Sequence, residues 1–94
     1  MNRPVGKMAS NSEKARVTIY SKPGCHLCDE AKANILASGC ADELVIEEVN
    51  IETRADLFEQ YQYDIPVVFI NGVKAFKHRV EGREFLRKLR RLHP

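Results

Sequence analysis

The stretch SKPGCHLCDEA, residues 21–31, places two cysteines three positions apart, just after an apolar run. That run, RVTIY at 16–20, is rich in β-branched and aromatic residues and predicts a strand, and the Ser, Pro and Gly after it predict a turn. Between residues 25 and 38, apolar side chains recur at steps of three and four, which predicts an amphipathic helix that ends before a glycine. Cys25 is therefore expected at the start of this helix and Cys28 on its apolar face.

A second strand and a short helix are predicted next. ELVIEEVNI, residues 43–51, has the composition of a strand. Thr53 and Asp56 are spaced like a capping box, which predicts the start of a helix. We expect Tyr61 and Tyr63 to wedge this helix against the sheet rather than to contact a substrate. The apolar residues expected to face inward from the helix are Leu57, Phe58 and Tyr61.

The last third of the chain predicts a hairpin and a final helix. VVFI, residues 67–70, shows no polar alternation and should be covered on both faces. Asn71-Gly72 is a strong hairpin signal, so VKAF, residues 73–76, should return antiparallel. A helix is predicted from about Val80 to Leu92. The side chains expected to face the sheet are Phe85, Leu86, Leu89 and Leu92.

The predicted order β-α-β-α-β-β-α defines an α/β fold. Its strand-helix-strand units require parallel pairing, and only the last strand pair forms a hairpin. With 94 residues the chain is long enough for one domain. We predict a flexible N-terminal tail over residues 1–14 and a single domain over residues 15–94.

Composition and charge exclude several classes of protein. Apolar residues at 44% and charged residues at 30% are ordinary for a soluble domain. The net charge of +2 is too small to indicate a nucleic-acid surface, and the basic segment 85–94 fits the C-terminal end of a helix. The polar segment 1–14 lacks the apolar core of a signal peptide, and no stretch reaches membrane-spanning length. We expect a cytoplasmic monomer that binds neither nucleic acid nor membranes.

The chemistry of the cysteine pair follows from its position. Only a thiolate attacks a disulfide, and the free N–H groups and positive dipole of a helix start stabilise a negative sulfur at Cys25. His26, if protonated, and Lys22 would add positive charge beside it. One turn further on, Cys28 is close enough to form a disulfide with Cys25. The pattern predicts that Cys25 attacks a substrate disulfide and that Cys28 resolves the mixed disulfide.

Other interpretations of the pair remain open. Three cysteines make an odd count, which argues against a disulfide framework and for catalysis or metal binding. A zinc site would need further ligands, and Cys40, His78 and His93 lack zinc-ligand spacing. An iron–sulfur cluster shared between two subunits, a pair of inert core thiols, and a non-catalytic interaction module are further alternatives.

Two motifs together carry a family resemblance. KPGCHLC, residues 22–28, followed by DIPVVFING, residues 64–72, resembles the glutaredoxin branch of the thioredoxin fold. The resemblance covers roughly residues 16–92 and implies a thiol–disulfide oxidoreductase with a four-stranded mixed sheet flanked by helices. It also implies a cis Ile65–Pro66 bond in a turn against the cysteines, where the backbone of Ile65 meets the substrate. The substrate-binding residues implied in this way are Lys22, His26, Ile65, Pro66 and Val67.

The resemblance implies glutathione as a candidate electron donor, with no bound cofactor, and glutathione or protein disulfides as substrates. Lys22 would contact a glutathione carboxylate and lower the pKa of Cys25, and Arg54 would meet the other end of the tripeptide. The chain differs from the better-known glutaredoxins, which have Pro-Tyr between the cysteines and a Gly-Gly pair before an acidic residue. Here AFKHRVEGREF occupies the later site, so His78 and Arg79 are alternative carboxylate contacts. Cys40 is expected to be a partly buried bystander, and a regulatory or dimer-forming thiol is the alternative.

Overall fold

The computed structural model describes residues 14–94, and the predicted tail lies outside the described residues except for Lys14. The predicted domain limits stay a prediction. The four strands are β1 (Ala15–Ser21), β2 (Leu44–Asn50), β3 (Val67–Ile70) and β4 (Val73–Lys77). The three α-helices are α1 (His26–Leu36), α2 (Ala55–Tyr61) and α3 (Gly82–Leu92). Short 3₁₀ turns at Ala41–Glu43 and Ile51–Thr53 flank β2. The predicted order of strands and helices is confirmed.

The strands form one mixed sheet in the order β2-β1-β3-β4. β1 pairs parallel with β2, with Val17 opposite Ile46, and antiparallel with β3, with Val17 opposite Ile70. β3 and β4 pair antiparallel. The central position of β1 places its C-terminal end, and therefore the cysteine motif, at the middle of one edge of the sheet. The predicted four-stranded mixed sheet is confirmed.

Alternation along the central strands divides the buried side chains between the two faces of the sheet. The larger cluster takes Val17, Ile19, Val68 and Ile70 from the strands and packs them against α1 and α3. Phe85 and Leu89 belong to this cluster, and Leu86 and Leu92 pack against it. The smaller cluster comprises Cys28, Ile51, Tyr61, Ile65 and Val67, with Leu57 and Phe58 of α2 packed against it. The inward-facing residues predicted for α2 and α3 are thus confirmed.

The hairpin between β3 and β4 forms as its sequence requires. Asn71 and Gly72 both have positive φ, 50° and 83°, the backbone of a type I′ turn. The Asn71 side chain accepts the Arg16 N–H at 2.9 Å, which ties the turn to β1. The register shifts between Val68 and Phe69. Within residues 14–94, no helix has both the length and the apolar character needed to cross a membrane.

Three local predictions are wrong. Thr53 does not cap α2, because its hydroxyl donates to the Asn50 carbonyl within the preceding 3₁₀ turn, at 2.7 Å, and Arg54 occupies the N-cap position without a side-chain cap bond. The last helix begins at Gly82 rather than Val80, which is buried in the connecting loop. Tyr63 does not wedge α2 against the sheet, because it lies beyond the end of the helix and its side chain is 84% exposed.

Candidate active site

A tight turn between β1 and α1 sets the position of Cys25. The Cys25 N–H donates to the Lys22 carbonyl at 3.3 Å, which closes a four-residue turn with Pro23 in its second position. Gly24, in the third position, has φ 78°, a conformation that glycine adopts without steric cost. Cys25 follows in an extended conformation as the N-cap of α1. The Pro-Gly turn therefore places Cys25 at the N-terminus of α1, where the backbone N–H groups have no intrahelical partners.

The sulfur of Cys25 performs the capping. It accepts the backbone N–H of Cys28 at 3.2 Å, one of the four N–H groups that a helix start leaves without an intrahelical partner. Cys25 is partly exposed, whereas Cys28 is 1% exposed. The two are joined by a disulfide, and their Cα atoms are 5.2 Å apart. One cysteine of the pair is thus reachable from solvent and the other lies behind it.

The segment before β3 lies against the same cysteines. The Ile65–Pro66 bond is cis, and Pro66 is fully buried. Ile65 and Val67 share the smaller cluster with Cys28, and Cys25 packs against that cluster. The structure therefore brings together five of the predicted site residues: Cys25, Cys28, Ile65, Pro66 and Val67.

Lys22 and His26 are exposed on either side of Cys25. Among residues 14–94, the Cys25 sulfur is bonded only to Cys28, through the disulfide and the backbone N–H, so neither Lys22 nor His26 forms a hydrogen bond with it. Lys22 lines an open pocket of about 310 Å³ together with Asp29 and Glu48. Lys22 therefore lies on a surface of mixed charge beside the cysteines rather than on a purely basic one.

With this geometry described, comparison with known proteins identifies the family. Residues 16–90 match the model of the glutaredoxin-like domain (DUF836). The chain belongs to this glutaredoxin-like family. A glutaredoxin-like protein of Dictyostelium discoideum is 31% identical over 81 residues, which cover 80% of this chain and 75% of the relative.

Solved structures show which fold the chain has. A protein from X. campestris superposes with a TM-score of 0.68 at 25% identity, covering 80% of this chain and 96% of that one. A thioredoxin from Nicotiana alata superposes with a TM-score of 0.60 at 12% identity, covering 99% of this chain and 89% of the thioredoxin. The glutaredoxin-like chain therefore has a thioredoxin fold, with a Cys25–Cys28 pair close enough to form a disulfide.

Arg54 of this glutaredoxin-like protein is already paired. Its guanidinium donates to both carboxylate oxygens of Asp56, at 2.6 and 3.1 Å. This hydrogen bond raises the pKa of Arg54 and lowers the pKa of Asp56, and both groups are exposed. Any contact with a glutathione carboxylate would have to compete with Asp56.

His78 and Arg79 lie away from the pocket that Lys22 lines. Both line a smaller groove of about 90 Å³ beside α1, formed with Leu27 and Glu30. Its volume is well below the roughly 300–1,000 Å³ typical of small-molecule sites. The His78 ring also contacts the backbone before Pro66. The structure thus places Lys22 and the two alternative carboxylate contacts in separate pockets.

Cys40 is more buried than its position after α1 suggested. It is 1% exposed within the larger cluster, and its sulfur lies 3.0 Å from the Ser38 hydroxyl. Residues 14–94 contain no group of three or more His, Cys, Asp or Glu side chains arranged to hold a metal ion. The third cysteine is therefore a packed core residue on the other side of the sheet from Ile65 and Val67.

Sequence reasoning missed two features near the site. Tyr20 stacks on Tyr61 with ring centroids 4.8 Å apart, and it packs against the cluster that holds Cys28. Its place at the end of β1, just before the cysteine turn, was the available signal. Glu48 accepts hydrogen bonds from the Ser21 hydroxyl and the Lys32 ammonium, both at 3.1 Å, which joins β1, β2 and α1.

Proposed function

We propose that this glutaredoxin-like protein is a thiol–disulfide oxidoreductase. The observation that carries the proposal is the asymmetry of the pair: Cys25 is a partly exposed helix cap that accepts a backbone N–H, and Cys28 is buried within bonding distance. This arrangement stabilises a thiolate at the accessible sulfur and keeps the second thiol for an intramolecular step.

The reaction balances over two exchanges. In the reduced protein, the Cys25 thiolate attacks one sulfur of a substrate disulfide, forms a mixed disulfide and releases the first substrate thiolate. The Cys28 thiol loses its proton and attacks the Cys25 sulfur, which closes the Cys25–Cys28 disulfide and releases the second thiolate. The substrate gains two electrons and the protein dithiol loses two. A thiol reductant of the glutathione class returns them, with oxidised glutathione as its product.

The proposed substrates are disulfides of glutathione or of proteins, held by the backbone next to Pro66. This docking position is supported by the packing of Cys25 against the cluster that contains Ile65 and Val67, because that packing places the attacking sulfur next to the docking backbone. We further propose that the protein works as a cytoplasmic monomer without a bound cofactor.

The variant Cys28→Ser tests this proposal, because without the inner thiol the mixed disulfide has no intramolecular exit. Intact-mass analysis of the variant recovered from cells should show one glutathione adduct at Cys25, or non-reducing gels should show higher-mass bands that vanish with reductant. The double variant Cys25→Ser, Cys28→Ser is the matched control and should show neither. Adducts that map to Cys40 would contradict the assignment of the nucleophile. Iron, zinc and sulfide analysis of anaerobically purified protein separates the proposal from a cluster-holding function.

A further inference from the structure

One histidine side chain is bonded to the backbone on which substrate docking is proposed to depend. His78 follows β4, and its ring Nε2 lies 3.1 Å from the Tyr63 carbonyl oxygen. Because a carbonyl only accepts hydrogen bonds, this nitrogen carries the proton and donates it. The Asp64 carboxylate lies 3.8 Å from the same nitrogen. The ring is thus directed at the segment 63–66, which we call the Pro66 segment.

The backbone of His78 is bonded to the same segment. Its N–H lies 3.1 Å from the Asp64 carbonyl and 2.9 Å from the Pro66 carbonyl, so it is shared between them. His78 therefore donates to three of the four carbonyls of the Pro66 segment. The remaining one is that of Ile65, and no residue within 14–94 donates to it. The Ile65 N–H is taken by the Tyr61 carbonyl at 3.1 Å, so the carbonyl is the backbone group of Ile65 left for a substrate.

The conformation of His78 fits this arrangement. Its φ is 73°, in the left-handed region that side chains other than glycine seldom adopt. A histidine is held there while its ring and its N–H both point to one segment. Because a side chain is not needed for the backbone conformation, the role of the ring can be tested separately by substitution with glycine.

We propose that His78 is a positioning residue that holds the Pro66 segment so that the Ile65 carbonyl can accept a backbone N–H from a protein disulfide substrate. This inference rests on the proposed oxidoreductase function. It gives His78 a role through the docking segment rather than as a carboxylate ligand. Extended peptide substrates, which bring a backbone N–H next to their cysteine, should depend on this contact more than small disulfides do.

Substitution of His78 separates the ring from the backbone. His78→Gly removes the bond to Tyr63 and keeps the N–H bonds, in a conformation that glycine adopts readily. His78→Gln restores a side-chain amide N–H at a similar reach, and its thermal unfolding shows whether the fold tolerates glutamine at this positive φ. Lys77→Ala is the matched control, since Lys77 is the exposed neighbour on β4. Thermal unfolding would establish that all three variants are folded.

Two readouts test the inference in the full chain. The first is reduction of insulin by the glutathione and glutathione reductase system. We expect His78→Gly to raise the KM for insulin about fivefold with little change in kcat, as loss of one neutral hydrogen bond implies, and His78→Gln to reverse most of this change. The second is amide hydrogen exchange, which should be faster at Asp64 and Ile65 in His78→Gly and unchanged in Lys77→Ala.

The outcomes distinguish the two proposals. Unaltered exchange at Asp64 and Ile65 in folded His78→Gly, or a fall in kcat without a rise in KM, would overturn the assignment of His78 alone. Failure of His78→Gln to restore the KM would also overturn it. A wild-type protein that reduces neither insulin nor hydroxyethyl disulfide would instead overturn the proposed function.

Discussion

The reactivity of Cys25 in the variant Cys28→Ser gives a quantitative test of the helix-cap geometry. Serine at position 28 keeps the backbone N–H that donates to the Cys25 sulfur at 3.2 Å and removes the competing thiol. For a partly exposed site we take about 1.5 kcal/mol for the charged hydrogen bond and about 0.5 kcal/mol for the helix start. Together they favour the thiolate by about 2 kcal/mol, which multiplies the ratio of thiolate to thiol about thirtyfold.

This ratio translates into an alkylation rate. An ordinary thiol is only about 3% ionised at neutral pH, so a thirtyfold change brings Cys25 to about half thiolate. A more stable thiolate is a weaker nucleophile, and this offsets most of the roughly sixteenfold gain in thiolate. We therefore expect iodoacetamide to react with Cys25 about three- to fourfold faster than with an unstructured cysteine peptide at pH 7. Peptide mapping by mass spectrometry should place the label at Cys25. Cys40, which is 1% exposed, should react most slowly.

A rate for Cys25 equal to that of the unstructured peptide would refute the reasoning, because the cap would then have no effect on the sulfur. The double variant Cys25→Ser, Cys28→Ser supplies the background rate of Cys40. Fast labelling in that double variant would show that the buried thiol is reachable and would contradict the packing described for the larger cluster.

Three further predictions concern charges in and around the site. Asp29 is the acidic residue in the first turn of α1, so in the Cys28→Ser background Asp29→Asn should about double the ratio of thiolate to thiol at Cys25 and shift the pH dependence of its alkylation to lower pH, as expected when a like charge four positions away is removed. Burial raises the pKa of Tyr61, so its stabilising effect is complete below about pH 10 and declines as pH rises through the raised value. Between neutral and alkaline pH, the urea concentration at half-unfolding should therefore fall less in Tyr61→Phe than in the wild-type protein. The hydrogen bond from Arg54 lowers the pKa of Asp56, so Arg54→Ala should raise it in a carboxyl NMR titration. That pair stabilises the fold above the ordinary aspartate pKa and less as pH falls through the lowered value, but both groups are exposed, and Tm at pH 7 should hardly change.

The fold could be predicted because its signals are local and agree with one another. RVTIY lies within β1, VVFI coincides with β3, and the Asn71-Gly72 turn has the two positive φ angles that its sequence favours. The helix ends were less predictable, since they depend on competing local hydrogen bonds. The sequence alone allowed Thr53 to cap α2, but in the structure its hydroxyl donates to the Asn50 carbonyl instead.

The position of the cysteine pair could likewise be predicted, because a Pro-Gly turn before a helix places Cys25 at the start of that helix. The contacts of His78 could not be predicted. They depend on a left-handed backbone after β4 and on carbonyls of a segment more than ten residues earlier, which the sheet brings alongside. The prediction for Tyr63 was wrong because this residue lies beyond the end of α2, whereas Tyr61, inside the helix, is buried in the smaller cluster.

The division of the buried residues into two clusters has a consequence for how such a chain can change over time. Most of the apolar burial that stabilises the domain lies in the larger cluster, with α1 and α3, while Ile65, Val67 and Cys28 belong to the smaller cluster. Substitutions at sites without shared neighbours tend to add independently. Variation at Phe85 or Leu89 can therefore adjust heat tolerance, while the residues around the cysteines diversify for new partners with little interference. The sheet between the two clusters therefore lets the stability of this small domain and its choice of partner change separately.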